Sequence, residues 1–162
     1  MKPTINALVE CLGGPWDDLC DLDPSVSSVV QKDGYRVEHV SYQTEVDDAV
    51  PAIVLIPDSV DEGNIAPAVA VWHQHGGQFD IGKSEPAGLA GNPMHHSGVA
   101  LVHEGYVVLC PDSLCFEDRQ DPTNKIVGDD YERFKFLEYI VEGKCLAWKN
   151  ILDIGISHIY CL

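Results

Sequence analysis

Positive charge is scarce in this chain. Ten Lys and Arg stand against 26 Asp and Glu among 162 residues, a formal net charge of −16. Nucleic acids and anionic membranes are polyanions, so this balance argues against either as a partner. Long apolar runs are missing too: no window approaches the ~20 residues that a membrane span needs. The N-terminal stretch MKPTINALVECLGG is interrupted by Asn6 and Glu10, where a secretory leader would stay apolar. The six cysteines (Cys11, Cys20, Cys110, Cys115, Cys145, Cys161) form no C-x-x-C pair and no zinc spacing. They read as buried free thiols of a reducing compartment, which implies a cytoplasmic protein. Repeats and low-complexity tracts are absent. The acids cluster in short runs such as Asp17, Asp18, Asp21 and Asp23, the pattern of a solvated surface.

What is present suits one globular domain with a real core. Residues 1–34 carry turn and cap signals around short apolar pieces and read as an N-terminal arm with a short helix. YRVEHVSYQTE (35–45) alternates, VPAIVLIPD (50–58) is apolar, and EVDDA between them suits a hairpin turn. AVAVWH (68–73) and YVVLCPD (106–112) are continuous apolar runs, the pattern of strands buried on both faces. Between them HHSGVALVHEG (95–105) has a helical pattern, with Gly105 placed to end it. A long helical stretch runs from about Asp130 to the end. Its apolar positions include Phe134, Leu137, Ile140, Val141, Leu146, Ile151, Ile154 and Ile159; Gly143 and Gly155 weaken it without having to end it. Strands followed by alternating strands and helices indicate a mixed α/β sheet.

Gly77 to Ser84 reads G-Q-F-D-I-G-K-S, a letter-for-letter match to the phosphate-loop pattern G-x-x-x-x-G-K-[ST]. That loop works because a helix begins at its Lys-Ser end and adds positive field. Here EPAGLAGNP follows, and Gly88, Gly91 and Pro93 oppose a stable helix. Asp80 would also put a carboxylate in the cradle. Lys83 then reads as a loop cation or local ion-pair partner. His73 and His75, at i and i+2, could join His95, His96 or Asp112 around a metal, but a strand-end or core role for His73 and a turn role for His75 are the preferred reading; no metal or cofactor is assigned.

Taken in order, PAVAVWHQHGG, GKSEPAGLAG and HEGYVVLCPD resemble the front half of an α/β-hydrolase, in the dienelactone hydrolase and acetyl-xylan-esterase-like group. The resemblance covers about Tyr35 to Leu162. It implies an incomplete α/β-hydrolase sheet, with N-terminal strands mostly parallel after a β-hairpin and with flanking helices. It makes His75-Gly76 the strand-end motif that positions the loop, and Gly77 and Gln78 the oxyanion-hole candidates. SLCFEDR resembles the family loop ending Phe-Gly-x-Arg, with Arg119 in place and Glu117 where glycine is usual; Asp153 fits a recurring helix Asp. Backbone N–H donors held where charge develops are what acyl transfer requires, and paired glycines let a substrate approach the backbone closely.

The family nucleophile sits in G-x-S-x-G, and the 162 residues contain no such motif. The nearest approach, Gly155-Ile156-Ser157-His158-Ile159, lacks the last glycine. Ser113 lacks a glycine elbow, and nothing in the sequence lowers the Cys115 thiol pKa. The expectation is a truncated serine-hydrolase homologue, 35–162 being the N-terminal half of the domain. It would carry the oxyanion strand but not the triad, and a full-length relative would take a small acyl-ester substrate. The strand missing from the sheet would leave AVAVWH as an open apolar edge, prone to self-association or to pairing with another chain. A non-catalytic binding or regulatory module using that edge is the rival reading, and nucleotide binding the third.

Overall fold

The computed structural model describes residues 4–16, 20–60 and 65–160. Asp17, Asp18 and Cys161 lie outside them, as do the side chains of Ser157 and Ile159. The described strands are β1 (Ser25–Gln31), β2 (Tyr35–Glu45), β3 (Asp48–Pro57), β4 (Ala68–Ala70) and β5 (Val107–Pro111). The described helices are α1 (Ile5–Leu12), α2 (Ser97–His103), α3 (Asp129–Val141) and α4 (Leu146–Tyr160). The strands form one mixed sheet in the order β1-β2-β3-β5-β4.

The sheet is mostly antiparallel, which corrects the expectation of mostly parallel strands after the hairpin. β1–β2, β2–β3 and β3–β5 run antiparallel, and only β4–β5 is parallel. The reason is topological. The crossover through α2 joins β4 to a parallel β5, but β5 inserts beside β3 and runs against it. The β2–β3 hairpin closes through Val46-Asp47, with Glu45 opposite Asp48 and Asp47 at φ 61. Such a short turn needs left-handed backbone, which Asp tolerates better than most residues.

β4 is shorter than AVAVWH suggested, and half-buried rather than covered on both faces. The Val71 N–H still reaches the Leu109 carbonyl at 2.8 Å. The Asp112 N–H points the other way, to Pro51 of β3 at 2.9 Å, so residue 111 faces β4. It is proline, which offers no N–H, and the ladder stops there. β4 is an edge strand with β5 as its neighbour.

Alternation in β3 divides the core. Ile53 and Leu55 join Val37, Val108 and Cys110 under α2, while Val50, Ala52 and Val54 join Val40, Tyr42 and Leu109 on the opposite face. α2 lies close because Gly98 has no side chain: a Cβ there would stand 2.7 Å from the Pro86 carbonyl. α4 crosses the second face over β2, β4 and β5, burying Trp148 and Leu152.

β1 is not signalled by the sequence. Its residues are exposed on both faces, so no alternation marks it, and its pairing slips between Val26 and Ser28. The expected terminal helix is two helices. Gly143, at φ 79, ends α3, with Gly143 N–H on the Ile140 carbonyl and Lys144 N–H on the Tyr139 carbonyl. Gly105 ends α2 in the same way, as expected. Among the described residues, no helix is long and apolar enough to cross a membrane.

Candidate functional site

Three segments meet at one end of the sheet: His73–Ser84 after β4, Asp112–Arg119 after β5, and the start of α3. The phosphate-loop match lies here, and its donors are already engaged by the chain's own carboxylates. The Lys83 ammonium contacts Asp112 at 2.7 Å, Glu117 at 2.8 Å and Asp118 at 2.7 Å. The Lys83 N–H donates to Asp112, and the Gly82 and Ser84 N–H groups and the Ser84 hydroxyl donate to Glu117. Turns, not a helix, follow Ser84. An internal acid therefore takes the place a phosphate would occupy in such a loop, and Lys83 fills the centre of the three carboxylates.

Burial pushes the Asp112 carboxyl up to about 6, and Lys83 beside it counteracts the rise. Desolvation would lower Lys83, but Asp112 and its neighbours raise it above its ordinary value, so the ammonium persists. Glu117 sits at φ 41, in the left-handed region where its resemblance-based counterpart is glycine. Burial raises its pKa and the Lys83 and Ser84 hydrogen bonds more than offset this, so it lies below its ordinary value.

A second network fastens this end to the sheet and α4. Arg119 contacts Asp153 at 2.7 Å and Asp48 at 3.0 Å, and donates to the Asp112 carbonyl. Lys149 contacts Glu45 at 2.7 Å, Asp153 at 2.9 Å, and Asp48. Thr44 donates to Asp153 at 2.6 Å. Arg119 and Asp153, marked by the resemblance, thus meet 34 positions apart in sequence.

His73 is buried. Its Nε2 accepts the Ser113 N–H at 3.1 Å and its Nδ1 lies 3.1 Å from the Gln74 carbonyl, which defines the Nδ1–H neutral tautomer. Desolvation lowers its pKa accordingly. His75 is exposed; its Nε2 pairs with Glu132 at 2.8 Å, and its ring lies edge-on against Phe79 and Phe116. His95 lies 3.1 Å from Glu85 and His96 3.1 Å from the Ala90 carbonyl. The four histidines do not converge.

Gly76 is crowded, since a Cβ there would meet the Gln74 amide at 2.5 Å. Gly77 takes φ 72 and stands open, at the wall of a cleft of about 560 Å³. Phe79, Asp80, Gln120 and Val127 to Asp129 complete the lining. Gln78 closes a turn instead, its carbonyl accepting the Ile81 N–H at 3.3 Å. Among the described residues, neither the Gly77 nor the Gln78 N–H donates to a protein acceptor. Sequence reasoning missed the rest of the cleft because loops far apart in sequence supply it. Burial pushes the Cys110 and Cys115 thiols up to about 12, away from nucleophilic character.

No family model matches the sequence, and no curated protein matches it. A solved structure from Bacteroides fragilis, provisionally described as an acetyl xylan esterase, superposes with a TM-score of 0.73 at 20% identity. The fold is esterase-like. The match takes in 93% of this chain and spans 39% of that one, so these residues correspond to less than half of the neighbour's length.

Proposed function

We propose that these residues are the oxyanion side of a serine-esterase fold of the dienelactone hydrolase and acetyl-xylan-esterase-like group, which in a full-length relative acts on a small acyl ester. The observation that carries the reading is Gly77. It follows the strand-end histidine motif, adopts left-handed backbone, and borders an open cleft with its N–H unengaged by the described residues. An oxyanion hole needs such a donor, rigidly held and free of an internal acceptor. His73 and the Lys83 network supply the rigidity, one through the Ser113 N–H and the other through three consecutive loop amides.

The attacking serine, its histidine and its acid are assigned to polypeptide outside these 162 residues, because no G-x-S-x-G occurs within them. The free side of β4 is the position where the nucleophile strand of such a sheet would add. The test is p-nitrophenyl acetate turnover and fluorophosphonate labelling of the 162-residue chain. Neither activity nor label is expected, and a labelled serine overturns the assignment.

The open β4 edge also supports the second reading, a non-catalytic module that pairs this edge with another chain. Size-exclusion chromatography tests whether this edge pairs. Concentration-dependent association that is lost when the edge is blocked favours the module, and a monomer that melts cooperatively counts against it.

A further inference from the structure

β1 forms the edge of the sheet opposite β4, and among the described residues no strand pairs with its outer side. Edge strands are commonly guarded by charge or proline. Ser25–Gln31 has neither, in a chain with 26 acidic and ten basic residues, and Val26, Val29 and Val30 are each about half exposed. The Lys32 N–H on the Tyr35 carbonyl, at 2.8 Å, sets the phase of the β1–β2 ladder. Lys32, Val30 and Ser28 turn their main-chain groups towards β2, while Gln31 and Val29 turn theirs outward. The slip between Val26 and Ser28, with the Ser27 hydroxyl on the His39 carbonyl at 3.1 Å, shifts that phase by one residue. Beyond it Ser25 pairs with Ser41, and the Gln43 N–H reaches the Leu22 carbonyl at 2.7 Å, so Ser25 points inward and Val26 outward. Val26 and Val29 also share one face of the sheet, since they stand opposite Val40 and Glu38, two positions apart on β2.

We infer that β1 pairs antiparallel with β1 of a second copy, about a two-fold axis between Ser27 and Ser28, with Val26 opposite Val29 of the second copy. In this register outward main-chain groups meet outward ones on both sides of the axis, and valine meets valine on one face. The slip makes this possible, because it places two outward residues, Val26 and Val29, three positions apart in sequence. Charge selects the occupant. The same register sets Lys32 opposite Asp23 of the second copy, and the two-fold axis makes that pair twice. Both residues are exposed, and among the described residues neither has an ion-pair partner within the chain. Two copies of net charge −16 repel over most of their surface, so an uncharged strand closed at each end by a Lys–Asp pair is where they can approach. Two five-stranded sheets would join into one of ten, within the range that open sheets reach. The pairing uses neither the β4 edge nor the Gly77 cleft, and it stands independently of the esterase reading.

The test is sedimentation equilibrium of the 162-residue chain from about 5 to 500 μM, the range of a small, transient interface. A monomer–dimer equilibrium with nothing larger is expected, because a two-fold contact closes on itself. Residue-resolved amide exchange should show protection of Val26 and Val29 rising with concentration, while Val30, already bonded to β2, stays unchanged. Val29→Pro removes only an outward N–H, which an edge strand tolerates. It should abolish the dimer and leave the melting temperature of the dilute monomer nearly unmoved. Lys32→Glu should weaken association roughly tenfold by placing two acids opposite each other, and adding Asp23→Lys to the same chain should restore it. Should Val29→Pro fail to fold, this charge reversal decides alone. A monomer at every concentration overturns the proposal and leaves the edge to a strand of another protein. Assemblies larger than a dimer, association that survives in folded Val29→Pro, or no recovery in the double reversal overturn it as well.

Discussion

Lys83 and Asp112 are joined twice: the Lys83 N–H meets one carboxylate oxygen at 2.7 Å, and the Lys83 ammonium meets the other at 2.7 Å. Main chain and side chain of one loop residue are thereby fixed to the end of β5. The loop that leads from Gly77 cannot drift without breaking a buried ion pair.

Lys83→Ala should cost about 3–5 kcal/mol, because it strands a fully buried carboxylate beside Glu117 and Asp118. The three carboxylates approach within 4.8 Å of one another. With the tethered ammonium gone, millimolar calcium should raise the variant's melting temperature by several degrees while leaving the parent unchanged. Thermal melts with calcium and with chelator check this; a variant indifferent to calcium would mean the carboxylates move apart once Lys83 is lost.

Glu117→Gly sets two effects against each other. Glycine relieves a left-handed backbone worth about 1–2 kcal/mol. It also removes the acceptor of two N–H groups, the Ser84 hydroxyl and one Lys83 contact, each worth about 1 kcal/mol or more. The hydrogen bonds outnumber the strain, so net destabilisation of about 1–3 kcal/mol is expected in urea titrations. Stabilisation would show that the loop finds other acceptors.

Acid should weaken the fold in a narrow window. Asp48 and Glu117 lie below their ordinary values of 3.8 and 4.5, so their contribution is complete above those values and disappears as pH falls through the lower folded ones. Asp112 acts in the opposite sense. Its folded value of about 6 exceeds 3.8, so acidification between the two favours the folded state through this group. Melts of Glu117→Gln against pH should show a shallower loss below about pH 4.5 than the parent. A parallel curve would remove Glu117 from the account.

Arg119→Met should destabilise by about 3 kcal/mol or more, since Asp153 and the Asp112 carbonyl both lose a donor at buried positions. Lys149→Met strips a second cation from the same Asp153. Groups sharing one partner do not add independently, so the double variant should depart from the sum by at least about 0.5 kcal/mol. Denaturant midpoints of the four-member cycle measure it, and strict additivity would mean the two cations act separately.

Thiol reactivity should separate the cysteines. Exposed Cys11 should label readily with a disulfide reagent, whereas Cys110 and Cys115, buried and pushed up to about 12, should stay unlabelled until the chain unfolds. Mass mapping of native and denatured samples reads this directly; fast native labelling of Cys115 would reopen it as a nucleophile.

The sequence by itself determined the strands that alternate or run apolar, β2, β3 and β5, because burial on a pleated surface imposes that pattern. It also fixed the glycine stop of α2, and it marked Arg119 and Asp153, which the fold brings together, through their order along the chain. Strand direction was beyond it: periodicity is the same in parallel and antiparallel ladders, and only the insertion of β5 beside β3 made the sheet mostly antiparallel. The ladder's early stop at Pro111 and the exposure of β1 likewise depend on neighbours, not on local pattern. Tertiary structure alone decided the fate of G-Q-F-D-I-G-K-S. A loop's letters specify donors, but what they bind depends on which acids the fold brings within reach, and here those acids, Asp112 and Glu117, lie about 30 residues further along the same chain.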